Sequence, residues 1–472
     1  MPKFIYNTQP ALKFIPQKFN LWVVQIISWM LPLILRFRIK PWLPAGITQI
    51  EAENAEILAK LYQEFQQGKV RFLIAFRHPE VEDPLTMLYL LSRIIPRVAR
   101  EKQIALKYPL YTHFMYERGM TIWAGDWLGW LFSCAGGIPI RRGKRADRNA
   151  IQIARELFMN GKMPIAVAPE GGTNGHSGIV SPLEPGVSQL GFWCVEDIEK
   201  NHRQEEVFII PVGIKYSYIN PPWQKINQLL SRLEIDSGLG IFVSSDNYEY
   251  QEREKHLYVR ILRLANYLIS EMEGFYQKFY HQKFPVIEIV ETYENEILII
   301  KLHRLMDTAL NVCEQYFNVP CQGNFIDRCR KLEEAGWNYI YRDDITNIDN
   351  LSPLQKGLAD WVAAEASLKM NHMRIAESFV AVTANYILEN PTADRFAETL
   401  LLMFDMVSRI KDSSSKGRPN LGYKQAKITI GTAISVTERW QSCQGDKQVL
   451  RQGVSNLTED LFKRLEEFVI DD

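Results

Sequence analysis

Arg71-Phe72-Leu73-Ile74-Ala75-Phe76-Arg77-His78-Pro79-Glu80-Val81-Glu82-Asp83-Pro84 is an apolar run that breaks abruptly into charge. Residues 71–76 have the length and the apolar character of a buried strand. Asp83-Pro84 reads as a helix start, because Asp is a favoured cap and Pro a favoured first helical residue. The turn between them is short enough to bring His78 beside Asp83. A carboxylate bonded to one imidazole nitrogen fixes the tautomer and leaves the other nitrogen basic and aimed outward. Such a pair can take a proton from an alcohol. Taken alone, the same residues also read as a capping aspartate and an ordinary loop histidine.

Three further windows follow in the same texture. Residues 137–140, 163–168 and 207–214 read as strands, and an amphipathic helical pattern covers 147–160. Alternation of this kind marks an α/β layer fold, and ligands in such sheets collect where strands end. In Gly136-Gly137-Ile138-Pro139-Ile140-Arg141-Arg142-Gly143-Lys144-Arg145 a glycine turn and a short strand precede four cations. Glycine lets backbone approach a ligand, and paired arginines offer forked donors to phosphate. A solvated basic loop and a lipid-headgroup contact give the same pattern. In Ala168-Pro169-Glu170-Gly171-Gly172-Thr173-Asn174-Gly175-His176 an apolar strand runs into one acid and three glycines. Glu170 is placed to bond a hydroxyl or orient an arginine while the glycines expose amides; a flexible loop with a solvated acid is the alternative. Ile209-Ile210-Pro211-Val212-Gly213-Ile214-Lys215 is a buried strand interrupted by Pro211, which fits a groove wall, a strand start or a bulge.

The chain has 472 residues, 46% hydrophobic and 23% charged, enough for a sizeable core and more than one structural unit. Its 55 basic and 55 acidic residues cancel, which removes the overall field that a nucleic-acid binder would use. Six scattered cysteines without a CxxC pair argue against a zinc site or a disulfide framework and for reduced thiols in a cytosolic compartment. Residues 19–35 are largely apolar between Lys13 and Lys18 on one side and Arg36, Arg38 and Lys40 on the other. As a straight helix they reach about 25 Å, short of the roughly 30 Å of a hydrocarbon core. With Trp22, Trp29 and Trp42 suited to headgroup depth, an interfacial segment is expected, a true span and a buried helix being the alternatives. The expected organisation is a membrane-associating segment over 1–44, an α/β domain over 45–220 and a mostly helical region over 221–420. A strand and helix over 421–472 would then complete the α/β domain. Two consecutive domains are the alternative.

Together, in this order and spacing, the four windows resemble the glycerolipid acyltransferase family, typified by lysophosphatidic acid acyltransferase. Its His-x4-Asp block is similar to His78 through Asp83, and its glycine-Ile-x-Ile-x-Arg block to Gly137 through Arg142. Its Pro-Glu-Gly-Thr block is similar to Pro169 through Thr173, and its apolar block around proline to Ile210-Pro211-Val212. The resemblance implies a sheet flanked by helices with a mostly helical inserted or second domain. It implies His78 as catalytic base with Asp83 as its partner, and Gly137, Arg141, Arg142, Glu170, Gly171, Gly172, Thr173 and Pro211 as substrate-binding residues. No metal or bound cofactor is implied; acyl-CoA or acyl carrier protein would be the co-substrate. A membrane lipid would be the partner, at the cytoplasmic face, with the protein peripheral or monotopic. Two departures stand in the third block, the extra glycine before Thr173 and Asn174 where an arginine is usual. They imply either that phosphate binding leans harder on Arg141, Arg142, Lys144 and Arg145 or that the acceptor is something other than lysophosphatidate. A lipid-binding or scaffolding protein that keeps the fold without the activity is the alternative reading.

Overall fold

A computed structural model of the chain describes residues 5–11, 15–37, 46–120, 125–140, 148–240, 250–285, 294–380, 382–383, 385–411, 417–443 and 447–470. Two compact units divide these residues. Ile15–Arg141, Ala146–Asn220 and Gly422–Asp472 build an α/β unit, while Pro221–Leu421 together with Met1–Phe14 belongs to a helical one.

The strands of the α/β unit are β1 (Ile47–Glu53), β2 (Val70–Phe76), β3 (His113–Glu117), β4 (Ile138–Ile140), β5 (Ile165–Val167), β6 (Glu206–Tyr218), β7 (Lys424–Ile430) and β8 (Ile434–Ser435). They form one sheet in the order β1-β7-β6-β2-β5-β3-β4, with β8 antiparallel to β6. From β6 to β4 the strands run parallel, whereas β7 and its parallel neighbour β1 run the other way. Period-two alternation sends Phe72, Ile74 and Phe76 into one core and Leu73 and Ala75 into the other. The same holds in β6, where Ile210, Val212, Ile214 and Tyr216 oppose Val207 and Ile209. A sheet buried on both faces needs helices on both, and each core side chain contributes roughly 1.5–3 kcal/mol. The α/β class expected from the sequence is the class observed.

The first face is covered by α1 (Leu21–Arg36), α2 (Ala55–Gln66), α3 (Asp83–Tyr89) and α4 (Ile95–Glu101), the last two joined through a π-helical turn at Leu90–Ile94. Leu58, Leu61 and Tyr62 of α2 recur at helical spacing and are all buried. At the far edge of the sheet lies α5 (Asp126–Cys134), which packs against α1. The second face carries α6 (Arg148–Asn160), with Ala154 and Phe158 inward, and α7 (Gly186–Lys200).

Asn20 caps α1 by accepting from the Trp22 and Val23 amides, and Val24, Leu31 and Leu35 turn into the core. The opposite stripe stays in the open. Trp22, Ile26, Trp29 and Leu33, spaced four, three and four residues apart, are all exposed, Trp22 and Trp29 by 74% each. Among the described residues no helix is long and apolar enough to cross a membrane.

The helical unit comprises α8 (Trp223–Asp236), α9 (Tyr250–Tyr280), α10 (Glu294–Phe317), α11 (Phe325–Ile340), α12 (Pro353–Ser378) and α13 (Ala393–Ile410). Capping boxes start two of them, Asn324 with Asp327 and Ser352 with Gln355. Residues 5–11 run along α12, where the Ile5 and Thr8 amides donate to Ser367 and Asp360. His372 is buried between two phenols, with Tyr276 2.8 Å from Nδ1 and Tyr280 3.0 Å from Nε2.

After that unit the chain supplies β7, β8, α14 (Val436–Gln441) and α15 (Lys447–Glu467). Leu457, Leu461 and Leu465 of α15 enter the second core. Pro211 finds its place where β7 stops, at Ile430 opposite Val212, and before β8 starts, at Ile434 opposite Ile209. No ladder donor is needed in that gap. The Gly431 amide donates to the Pro211 carbonyl at 2.9 Å, and a Cβ on Gly431 would stand 2.8 Å from Pro211 Cγ and 2.7 Å from Phe468 Cζ.

Candidate active site

β2 and β5 are parallel neighbours, so the turn after Phe76 and the loop after Val167 leave the same edge of the sheet. Arg77 stitches the two together. Its side chain is fully buried, and its guanidinium donates to the carbonyls of Ser177 (2.6 Å), His176 (3.2 Å) and Ile179. Its Nε lies 3.6 Å from Glu170 Oε1. Three carbonyls and a carboxylate around one planar cation fix the loop's path.

Glu170 completes the clamp. Oε1 accepts the His78 amide at 2.9 Å, while Oε2 accepts the Ser181 amide at 2.9 Å and Asn174 Nδ2 at 3.1 Å. Both oxygens of the buried carboxylate are thus engaged within the protein. Asn174 also donates to the Ile179 carbonyl at 2.7 Å, and the Gly175 amide reaches back to the Pro79 carbonyl at 3.1 Å. Gly171 adopts a positive φ of 71°, which strains any L side chain, and a Cβ there would also push aside Glu184 Oε1, 2.2 Å away. Gly172 is half-buried and Thr173 exposed.

His78 follows directly. Its Nδ1 lies 2.9 Å from Asp83 Oδ2, with 20% of the imidazole side chain exposed and none of the aspartate. Asp83 is the first residue of α3, one step inside the cap position held by Glu82, and makes no capping bond; this differs from the expected cap. Its carboxylate folds back instead. Oδ2 also accepts the Glu80 amide at 2.8 Å, and Oδ1 accepts the Tyr216 phenol at 2.5 Å. With Nδ1–H donating to the carboxylate, Nε2 is the nitrogen left for a substrate.

Burial pushes the Asp83 carboxyl above its ordinary value, while the bonds from His78 and Tyr216 work for the anion. Burial also holds the Tyr216 phenol well up, with the Asp83 charge adding to it, so Tyr216 stays protonated and donates. Glu82 is lifted well above the carboxylate range, by burial first and the neighbouring Glu80 second. Among the described residues its buried Oε2 has no hydrogen-bond partner, which favours the neutral acid. Lys424 of β7 lies 2.8 Å from Glu80 Oε1. Burial is the largest single influence and works against its ammonium, yet Glu80, Tyr218 and Glu82 together outweigh it and keep the lysine charged.

The structure therefore brings His78, Asp83, Glu170 and the glycine loop together. Pro211 is buried in β6, in register with Ala75 of β2. Gly137 precedes the edge strand β4, separated from β2 by β5 and β3. Its amide donates to the Phe132 carbonyl at 2.8 Å, and a Cβ would meet the Tyr116 ring at 2.9 Å. Arg141 and Arg142 lie outside the described residues. Sequence reasoning gave no role to Arg77, Tyr216 or Lys424. Arg77 carried one signal, a cation ending an apolar strand; the other two depend on strand register.

Compared with known families, residues 49–215 match the model of the family described as Acyltransferase. No curated protein and no solved structure matches the chain. The matched segment runs from β1 through most of β6 and contains the His78–Asp83 pair and the Glu170 loop, so the chain carries an acyltransferase-family domain over residues 49–215.

Proposed function

We propose that the chain transfers a fatty acyl group from an acyl thioester, of coenzyme A or acyl carrier protein, to a hydroxyl of a glycerophosphate or lysophospholipid acceptor. The observation that carries this is the pairing of a partly exposed His78 with a buried Asp83 at 2.9 Å. His78 Nε2 takes the acceptor's hydroxyl proton as the oxygen attacks the thioester carbonyl. The C–S bond then breaks, the imidazolium returns its proton to the sulfur, and an ester and a free thiol leave. Arg141 and Arg142 are the proposed phosphate ligands, because forked guanidinium donors match phosphate oxygens. Gly137, the Glu170-Gly171-Gly172-Thr173 loop and Pro211 are proposed to shape the groove between them.

Acceptors of this kind reside in a bilayer surface, and α1 supports docking there. Its exposed stripe of Trp22, Ile26, Trp29 and Leu33 lies beside α5, whose Trp127 and Trp130 are also exposed. Tryptophan and aliphatic side chains on one helix face, near Lys18 and Arg36, suit the headgroup boundary. The protein is then peripheral or monotopic at the cytoplasmic face.

The deciding experiment incubates purified protein with a labelled acyl thioester and a panel of lysolipids and follows free thiol together with the lipid product. A new ester bears the proposal out. Free fatty acid alone would mean water is the acceptor, and no thiol release from any pair would leave a binding protein on an acyltransferase scaffold.

A further inference from the structure

β6 outruns β2. Val212 pairs with Phe76, the last residue of β2, but β6 continues to Tyr218 with β7 alongside it. Tyr216 therefore stands beyond the end of β2, on the face shared with α3, one residue past the segment that the family model covers. Its phenol donates to Asp83 Oδ1 at 2.5 Å and lies 3.1 Å from Thr86 Oγ1, one turn further along α3. Its backbone amide donates to Ser177 Oγ at 3.2 Å, in the loop that Arg77 holds.

We infer that Tyr216 is a positioning residue that completes a Tyr216–Asp83–His78 relay and sets how strongly the aspartate pulls on the imidazole proton. The inference rests on the acyl-transfer reading. An aspartate with donors on both oxygens cannot rotate away from His78, and each donor withdraws charge from the carboxylate. Removing the phenol concentrates that charge on the bond to Nδ1 and stabilises the imidazolium. The other groups facing the relay are the Glu80 amide and side chain and the buried Glu82, on the turn that precedes α3, and beside His78 the Glu170 carboxylate, which accepts the His78 amide at 2.9 Å and lies 3.6 Å from Arg77 Nε. From β7 comes Lys424, whose Nζ lies 5.8 Å from the Tyr216 ring centre. None of these changes when the phenol oxygen is deleted, so the shift reports the relay.

The test labels histidine with 13C, assigns the His78 ring signal by its loss in His78→Ala, and follows its titration. In Tyr216→Phe the midpoint should rise by about half to one pH unit. The acid limb of kcat/KM should move by the same amount, with KM unchanged. Thr86→Val leaves Tyr216 in place but removes its second partner, and should give a smaller rise; it decides the matter if Tyr216→Phe does not fold. On an Asp83→Asn background Tyr216→Phe should shift nothing further. A midpoint equal to wild type in both single variants, or a further shift on the Asp83→Asn background, overturns the relay. The ring titration is readable without turnover. A wild type that releases no thiol thus counts against acyl transfer, while an unmoved midpoint in an active enzyme counts against Tyr216.

Discussion

Lys424 Nζ lies 2.8 Å from Glu80 Oε1, which bonds the strand that closes the sheet to the turn that carries His78. Glu80 is also the residue whose amide donates to Asp83. An ion pair formed by a residue of β7 thus bears on the His78–Asp83 pair through a single peptide unit.

Lys424→Met leaves Glu80 and the buried Glu82 together without their cation. Glu80 is buried but Lys424 is half-buried, so losing the lysine destabilises by roughly 1–3 kcal/mol, less than for a fully buried pair. The double variant Glu80→Gln/Lys424→Met, with no stranded charge, should recover a large part of that. Urea unfolding midpoints measure both, and equal losses in the single and double variants would remove the ion pair from the account.

His78→Ala should lower acyl transfer at least about a hundredfold, the contribution of a general base. Asp83→Asn should lower it by a similar factor, because an amide in place of the carboxylate no longer favours the tautomer with its proton on Nδ1. Both are read as initial rates of thiol release at saturating acceptor. A His78→Ala variant with unimpaired turnover would place the base elsewhere.

Glu82 gives a dependence on pH with a definite sign. Its folded pKa lies above the ordinary 4.5, so the folded protein holds a proton that the unfolded chain gives up. Stability from this group is greatest below pH 4.5 and falls as pH rises from there toward the raised folded pKa. Glu82→Gln removes the fall. It should melt above wild type at about pH 8 and level with it at about pH 4.

The helical unit carries the opposite sign. Burial first, and Lys369 second, lower the His372 pKa from 6.5 to about 4. Between those values the unfolded chain takes up a proton that the folded protein refuses, so stability is lost as pH falls from 6.5 toward 4. The melting temperature should drop between about pH 7.5 and pH 5, and His372→Phe should shrink that drop whatever its own starting stability.

Trp22→Ala/Trp29→Ala strips most of the exposed aromatic surface from α1 and leaves Val24, Leu31 and Leu35 in the core. Sedimentation with phospholipid vesicles should show at least about a tenfold loss of bound protein, with unchanged helix content by circular dichroism. Equal binding would move the membrane contact off this helix.

Much of this was legible from local pattern. The run over 71–76 became β2 almost residue for residue, and the period over 147–160 became α6, because alternation and helical spacing are properties of a few neighbours. Where the period was broken the reading fell short. β1 was not picked out, since its register slips between Ile47 and Gln49 and the parity of its apolar side chains changes with it. β6 ends at Tyr218 and not near 214, although Ile214 and Tyr216 keep the alternation going past Lys215. His78 and Asp83 were five residues apart and could be paired on paper. Tyr216 reaches Asp83, and Lys424 reaches Glu80, only through the stagger of β6 and β7 against β2, a distance in space that no spacing along the chain encodes.

The sheet order has a consequence for synthesis on the ribosome. β1 is made near the start, yet its only sheet neighbour among the described residues is β7, which emerges after the whole helical unit. At about 5–20 residues per second, β1 waits on the order of half a minute for its partner. Throughout that interval the nascent chain presents an unpaired β-edge at β6, with Glu80 lacking its lysine, so that edge is shielded from aggregation only once β7 has been made.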